Sequence, residues 1–406
     1  MKKSIKISIC LLAVFLFALS STFAQKVETV DGVQIIHNDA EGKWGKNPQV
    51  ELEFIKTIGE MDSDKDEVIF FMPTDIAFDN QGNIYVLDSG NHRIQKFSAD
   101  GTFLATIGRQ GQGPGEFQYP QSLAVDPDGN LYISDMGNRK IHVLKPGGGE
   151  LHTLELTDLE IGNIRTTTSG RIVMGGGGGM MMIGPGGINE DQDLGKLFTI
   201  LDKEGKVIQE FGEKLDFKDF LMNRSGNRYH FAVDKTGNMY VAFDVQNRIE
   251  KYSPEGKLLW KSDRKLNFEV TPPKKKSGTR EMSGGRVEIR MPQMNRCASG
   301  IAVDEKGRVW VAGYERQINE DEQVQTSVSM NVDAGGKRSM SMKPEGNTDV
   351  TKTDAFRIEI YSPEGILLGN VQLDHFVDDI IINGDKIYTL DRMRGSQYYE
   401  YQIIEK

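Results

Sequence analysis

The stretch PTDIAFDNQGNIYVLDSGNHRIQKFSADGTFLATIG, Pro73 to Gly108, decides the fold. It holds four short runs rich in Ile, Val, Phe and Tyr, separated by turns that carry Asp and Gly. Short β-branched and aromatic runs punctuated this way describe an antiparallel unit of four strands. The phrase returns as PQSLAVDPDGNLYISDMGNRKIHVLKPGGGELHTLEL at Pro120 to Leu156 and as YHFAVDKTGNMYVAFDVQNRIEKYSPEGKLLWKS at Tyr229 to Ser262. It opens once more at Ala298 with ASGIAVDEKGRVWVAGY. Four-stranded repeats of roughly 40 residues read as propeller blades.

Two weaker copies complete the count. One is IGNIRTTTSGRIVMGG, resuming at LFTILDKEGKVIQEFG; the other is the C-terminal VDDIIINGDKIYTLDR, ending at QYYEYQIIEK after only three strands. A spare strand, VELEFIKTIG at Val50 to Gly59, precedes the first complete blade and matches the outer strands FLATIG and VIQEFG. Pairing it with the C-terminal blade closes the ring and removes the open edge that a linear array would leave. The expectation is an all-β, six-bladed propeller of four-stranded antiparallel blades over residues 50–406, with residues 25–49 as a leader segment.

MKKSIKISICLLAVFLFALSSTFAQ begins the chain: Lys2, Lys3 and Lys6, an apolar run from Ile7 to Leu19, then small residues up to Ala24. This reads as a secretory signal over residues 1–24, too short in its apolar run to favour a membrane span, and places the mature protein in a periplasmic or extracellular setting. Cys10 lies inside that run, so Cys297 is the only thiol expected in the mature chain, and its expected role is a small buried residue beside an inner strand. A formal net charge of −10 repels phosphate backbones and argues against nucleic acid as a partner.

The motif Asp88-Ser-Gly-Asn-His-Arg-Ile94, echoed by Asp135-Met-Gly-Asn-Arg-Lys-Ile141 and Asp244-Val-Gln-Asn-Arg-Ile249, resembles the NHL-repeat family of six-bladed propellers, in its exported bacterial form. The match is strong over Pro73 to Leu156, fair over Tyr229 to Ser262 and partial elsewhere. The resemblance implies the fold and leaves the activity open, because members range from binding scaffolds to lyases. Within the motif, Arg93, Lys140 and Arg248 are read as bracing the hairpin against Asp88, Asp135 and Asp244.

With the strands of each blade labelled a to d from the channel outward, the a–b and c–d turns are all tight, as in DNQG, DPDG, SADG and SPEG. The long insertions fall elsewhere. Gly175 to Lys196 and Gln317 to Thr353 are b–c connections, whereas Glu213 to Arg228 and Lys265 to Arg296 are d–a connections. In an antiparallel blade these two kinds of connection share one face, so one surface carries all the elaboration. The Lys265 to Arg296 loop has eight basic residues, among them Lys274, Lys275, Lys276 and Arg280, against three acidic ones. It reads as a basic lip, and the Gln317 to Thr353 loop begins acidic with Glu320, Asp321 and Glu322. Met180, Met181, Met182, Met291, Met294, Met330, Met340 and Met342 also lie in these loops, where adaptable packing is a more ordinary role than copper ligation.

Aligning the inner strands on Ile76, Leu123, Ile164, Phe231, Ile301 and Ile380 puts Thr74, Gln121, Gly162, Tyr229, Ser299 and Asp378 two residues earlier. Thr74, Gln121, Tyr229, Ser299 and Asp378 are thus the expected channel mouth, able to orient a small ligand or a peptide terminus. Amidating lyases that resemble NHL propellers hold zinc through His at this position, and none of the six is His. Gluconolactonase-like propellers hold calcium through carboxylates, and only Asp378 supplies one, with Asp75 and Asp379 beside it. Asp126-Pro-Asp128-Gly129-Asn130 imitates a calcium loop, yet its counterparts use the same slot as a plain turn. No Gly-x-Ser-x-Gly, His-Glu-x-x-His or phosphate loop is present.

The expectation is therefore an exported, non-enzymatic binding scaffold without a cofactor. It would act as a monomer and meet a protein, peptide or glycan, anionic at the basic lip, on its elaborated face. The rival is a metal-dependent hydrolase or lyase, with calcium or another ion held in part by main-chain carbonyls.

Overall fold

Four of the six inner hairpins turn on an aspartate whose carboxylate is consumed by the turn itself, while blade 3 uses Thr167 and blade 6 a two-residue turn at Gly384 and Asp385. Asp79 Oδ1 accepts from the Gln81 and Asn83 amides at 2.9 Å, and its Oδ2 accepts from Asn83 Nδ2 and the Tyr85 hydroxyl. Asp126, Asp234 and Asp304 repeat the arrangement in blades 2, 4 and 5, Asp304 using Arg308 and the Trp310 indole as side-chain donors. These side chains pin the turn by mimicking backbone acceptors. The calcium-like slot at Asp126 is such a turn.

The computed structural model describes residues 25–60, 63–156, 159–176, 194–270, 278–282, 286–290, 292–332 and 338–406. Six four-stranded antiparallel units are ordered a to d along the chain. Blade 1 comprises Asp75–Phe78, Ile84–Asp88, Arg93–Phe97 and Phe103–Ile107; blade 2 comprises Pro120–Val125, Leu131–Asp135, Lys140–Leu144 and Glu150–Glu155. Blade 3 follows with Asn163–Thr166, Ile172–Gly175, Lys196–Leu201 and Val207–Glu213, and blade 4 with Tyr229–Val233, Met239–Phe243, Ile249–Tyr252 and Leu258–Arg264. Blade 5 is Ala298–Val303, Val309–Tyr314, Phe356–Tyr361 and Leu367–Gln372. Blade 6 takes its first three strands, Asp379–Asn383, Lys386–Asp391 and Gln397–Glu405, from the C-terminus and its outer strand, Val50–Ile58, from the N-terminal side. That strand runs antiparallel to Gln397–Glu405, from Val50 opposite Glu405 to Ile58 opposite Tyr398, so the expected closure is observed.

The core is divided among the blade interfaces. Tyr229, Phe198, Phe231 and Phe243 pack between blades 3 and 4, and Trp310, Phe356, Phe376 and Ile387 between blades 5 and 6. On the tight-turn face, c–d turn glycines sit on the outer strand of the preceding blade: Gly148 over Ile107, Gly205 over Leu154, Gly256 over Phe211 and Gly365 over Trp260. At Gly365 (φ +84°) an added Cβ would lie 2.9 Å from the indole, so both the left-handed backbone and the close approach require glycine.

The leader belongs to the same body. Lys26–Val30 and Val33–Asn38 form a hairpin, and the second strand pairs in parallel with Leu258–Arg264, extending blade 4 outward. Buried Asn38 donates to Ser262 Oγ and the Gly365 carbonyl and accepts from the Leu367 amide, stapling blade 4 to blade 5. Beneath it, Arg264 and Glu359, 1% and 0% exposed, pair at 2.7 Å, and Glu359 also receives Arg357 and the Tyr361 hydroxyl. Cys297 is fully buried beside Arg264, and burial pushes its thiol up to about 11.

Candidate functional site

Strand a starts and strand b ends on the same face of every blade, and that face receives the long connections. The d–a connection between blades 3 and 4 holds a short helix, Phe220–Gly226, capped by Asp219 through the Met222 amide at 2.8 Å. The next one holds the hairpin Gly278–Met282 with Arg286–Arg290. The b–c connection of blade 5 holds a single turn at Glu320–Glu322 and a long hairpin, Val324–Val332 with Arg338–Gly346. Glu322, part of the acidic run, anchors this insertion by accepting from Arg316 at 2.7 and 2.8 Å, from the Thr353 hydroxyl and from the Asn319 amide. Those donors, Arg316 foremost, hold its carboxyl down at about 2. A cavity of about 310 Å³ opens on this face between blade 3 and the short helix, lined by Met174, Gly176, Phe220, Asn223 and Tyr229. Lys274, Lys275 and Lys276 lie outside the described residues, as do Met180, Met181, Met182 and Met291; the side chain of Arg280 lies outside them too.

The expected ring of Thr74, Gln121, Tyr229, Ser299 and Asp378 does not converge. Tyr229 is buried against Phe198 and Phe243, with its hydroxyl on the Leu197 carbonyl. Ser299 is fully buried at an irregular register step, and its Oγ has no hydrogen-bond partner. Thr74 bonds to Ser89, Asp378 accepts from the Arg392 amide at 2.9 Å, and Gln121 occupies the bulge between Pro120 and Ser122. The cause is the strand period of two. Ile76, Leu123 and Ile164 point into the interblade core at 0–2% exposure, so residues two earlier share that side.

The axis is lined by the residues one before the anchors: Asp75, Ser122, Asn163, His230, Gly300 and Asp379. Contacts between non-neighbouring blades place Asp75, His230 and Asp379 at the axis, contacts between neighbours add Ser122 and Gly300, and Asn163 shares their register. Arg165 of blade 3 reaches Asp75 of blade 1 at 2.8 Å and Ser122 of blade 2 at 3.2 Å, and Asp75 also takes the Ser122 hydroxyl at 2.7 Å. His230 of blade 4 lies 3.6 Å from Asp379 of blade 6, and a Cβ on Gly300 would strike the same carboxylate. Ala77, Ala124, Ala232 and Ala302 form the next layer, leaving Arg165 to span the channel.

Above this layer, the end of strand b separates the blades chemically. Asp88 accepts from the Phe71 amide, Asn91 and Arg93; Asp135 accepts from the Gln118 and Asn138 amides, Asn138 Nδ2 and His142; Asp391 accepts from the Arg394 and Gly395 amides. Asp244 does not follow them. It is 4% exposed, takes no amide, and is held as an ion pair, with His230 Nε2 at 3.3 Å from its Oδ1. Arg228 and Arg296 approach its Oδ2 only to 3.6 and 3.7 Å. The bracing assigned to the motif arginines therefore holds for Arg93 on Asp88 and fails elsewhere. His142 and Asn138 replace Lys140 on Asp135, and Arg248 stacks on Phe243 at 3.9 Å and faces Glu250 instead of Asp244. Asp244-Val-Gln-Asn-Arg248 is one residue shorter than Asp88-Ser-Gly-Asn-His-Arg93, and the shortened turn presents no amide to the carboxylate. That missing residue was the available signal.

Burial works against charge on His230, but Asp244 and Asp379 outweigh it and hold the imidazole up at about 9. Burial would raise Asp244, and His230, Arg228 and Arg296 reverse this, leaving its carboxyl well below the usual range. Burial, with Asp378 second, lifts Asp391 to about 6. Arg296 lies over the Tyr314 ring at 5.3 Å, and Arg394, stacked on Phe376, ties the blade 6 turn to the Glu322 carbonyl. Among the described residues no three His, Cys, Asp or Glu side chains converge as a metal would require.

A six-bladed propeller with a zwitterionic channel mouth on its elaborated face is the class that fold and site define. Residues 25–251 match the family DUF5128, 6-bladed beta-propeller, and the chain belongs to that family. No curated protein matches it. Among solved structures it is similar to a DUF4221 family member from Bacteroides vulgatus at 10% identity, covering 88% of this chain and 99% of that one with a TM-score of 0.55. A presumed exported protein from Bacteroides fragilis is similar at 12% identity, 92% and 99% coverage and a TM-score of 0.52. Virginiamycin B lyase from Staphylococcus aureus aligns at 13% identity over 87% of this chain and 100% of that one, with a TM-score of 0.44. The first two likenesses speak to the fold alone.

Proposed function

We propose that this protein is an exported, NHL-type binding module that takes an anionic ligand or partner on its loop-bearing face and does no chemistry on it. One observation carries the reading. The helix, both hairpins and the Arg228, His230, Asp244 and Arg296 cluster lie on one face, while the opposite face is closed by turns whose aspartates are already saturated. Elaboration of one face on a rigid scaffold is how binding surfaces are built. Export is supported by the signal-like residues 1–24, and the NHL character by the Asp88 to Ile94 motif. The basic lip supplies steering for an anion on an otherwise acidic molecule.

The test uses residues 25–406 on a biosensor with poly-L-glutamate and polygalacturonate at several salt concentrations. Reversing Lys274, Lys275, Lys276 and Arg280 to Glu should weaken binding at least tenfold and flatten its salt dependence. Reversing the tight-turn residues Lys145 and Lys203 to Glu should change little. Equal loss from both sets, or no binding of either polymer by the wild type, would overturn the reading.

A further inference from the structure

Asn383-Gly384 is the one Asn-Gly pair in the sequence, and the fold puts it at the tip of the inner hairpin of blade 6. Asn383 ends strand a opposite Lys386, and Gly384, with φ +62°, begins the turn. At this place in the other blades Asp79, Asp126, Thr167, Asp234 and Asp304 each fix their own turn by accepting a main-chain amide. The blade 6 turn is shorter, and Asn383 takes no such amide. Asn383, Gly384 and Asp385 are exposed, and a Cβ on Gly384 would meet nothing within 4 Å. The same turn is tied to the ring closure, because the Asp385 carbonyl accepts from the Ile403 amide at 2.8 Å and from Gln402 Nε2 at 2.9 Å. Ile403 and Gln402 belong to the strand that pairs with Val50–Ile58.

We propose that Asn383 is a site of spontaneous deamidation through a cyclic imide with Gly384, and that the product loosens the blade that closes the ring. The Gly384 amide nitrogen loses its proton and bonds to Asn383 Cγ, the Cγ–Nδ2 bond breaks, and Nδ2 departs with that proton as ammonia. Water then opens the imide, and no atom is oxidised or reduced. Cleavage at Cγ leaves aspartate, whereas cleavage at the main-chain carbonyl leaves isoaspartate, with the chain rerouted through Cγ. Glycine favours the first step because it has no side chain to shield its amide and little to restrict its rotation. The exposed end of a hairpin also opens locally far more often than the whole fold unfolds, which frees Cγ to reach the nitrogen. Either product sets a carboxylate near Asp385 with no turn amide to receive it. Isoaspartate further lengthens the main chain beside the Asn383 and Lys386 pair, and the Asp385 carbonyl passes the displacement to the strand that holds the closure.

The test holds residues 25–406 in warm, mildly alkaline buffer, either folded or unfolded in urea, and maps the peptides by mass spectrometry. In the folded protein Asn383 should gain one dalton before any other asparagine, and an isoaspartyl methyltransferase should label the same peptide. Gly384→Ala, whose methyl meets no neighbour, should slow the gain at least tenfold, and Asn383→Gln should abolish it. Hydrogen exchange in peptides spanning residues 379–391 and 397–405 should be faster in the aged protein than in the fresh one. Asn383→Asp, which carries the charge without the longer main chain, should show only part of that change. A gain at Asn383 in urea alone, or an equal rate in Gly384→Ala, would overturn the site. A full gain with unchanged exchange in both peptides would overturn its effect on the closing blade.

Discussion

Asp244 and Asp88 are the same residue in two copies of one motif, and one deleted position separates a carboxylate that braces its own hairpin from one paired with His230. At this scale His230 offers a test by pH. Its folded pKa, about 9, lies above the ordinary 6.5, so the folded state holds its proton more tightly than the unfolded chain does. The stabilisation is therefore complete below about pH 6.5 and is lost as pH rises from there to about 9. Chemical denaturation across that range should show stability falling with pH in the wild type, with a shallower fall in His230→Gln. An identical slope in the variant would remove His230 from the account. The Arg264 and Glu359 pair makes a second prediction. Glu359→Leu strands a guanidinium that is 1% exposed, and breaking such a pair costs about 3–5 kcal/mol, measurable as a lowered urea midpoint.

At the scale of the element, the turns were legible and the ring was not. Asp79, Asp126, Asp234 and Asp304 with their following glycines announce hairpins because each side chain can satisfy its own turn, a local interaction that sequence records directly. The side of the inner strand that faces the axis depends on how six blades are rotated about it, which no local pattern encodes. The anchors Ile76 and Leu123 are recognisable as core, but a step of two residues from an anchor stays on the core side, so Tyr229 and Ser299 belong to the core and not to the channel. The partners of His230 and Arg165 are hidden for the same reason, because they come from other blades, whereas the departure of Asp244 was legible in its shortened turn. The glycine contacts between blades are an element-scale prediction. Gly365→Ala forces a left-handed alanine onto the Trp260 ring and should cost about 1–2 kcal/mol or more, whereas Gly384→Ala, with φ +62° and nothing within 4 Å, carries only the backbone part. Equal losses in the two variants would deny that the turn glycines seat one blade on the next.

At the scale of the molecule, closure joins the beginning of the folded chain to its end. Val50–Ile58 covers the edge of Gln397–Glu405, and the leader hairpin covers the outer edge of blade 4. The closing strand was legible because Val50 to Gly59 has the pattern of an outer strand with no blade of its own, while the C-terminal copy lacks one. Removing residues 25–59 should leave an exposed strand edge and a soluble-aggregate profile in size exclusion, where residues 25–406 elute as one species. A monodisperse truncated chain would show that closure is dispensable. The ring also fixes the central claim, because it sends every long connection to one face and every saturated turn to the other.

Hydrogen exchange read by mass spectrometry, on residues 25–406 with and without polygalacturonate, tests that claim most directly. The account predicts slowed exchange in peptides spanning residues 226–231, 242–248 and 292–298, with the tight turns at residues 99–102, 145–149 and 253–257 unchanged. Protection confined to those turns, or spread evenly over both faces, would contradict it.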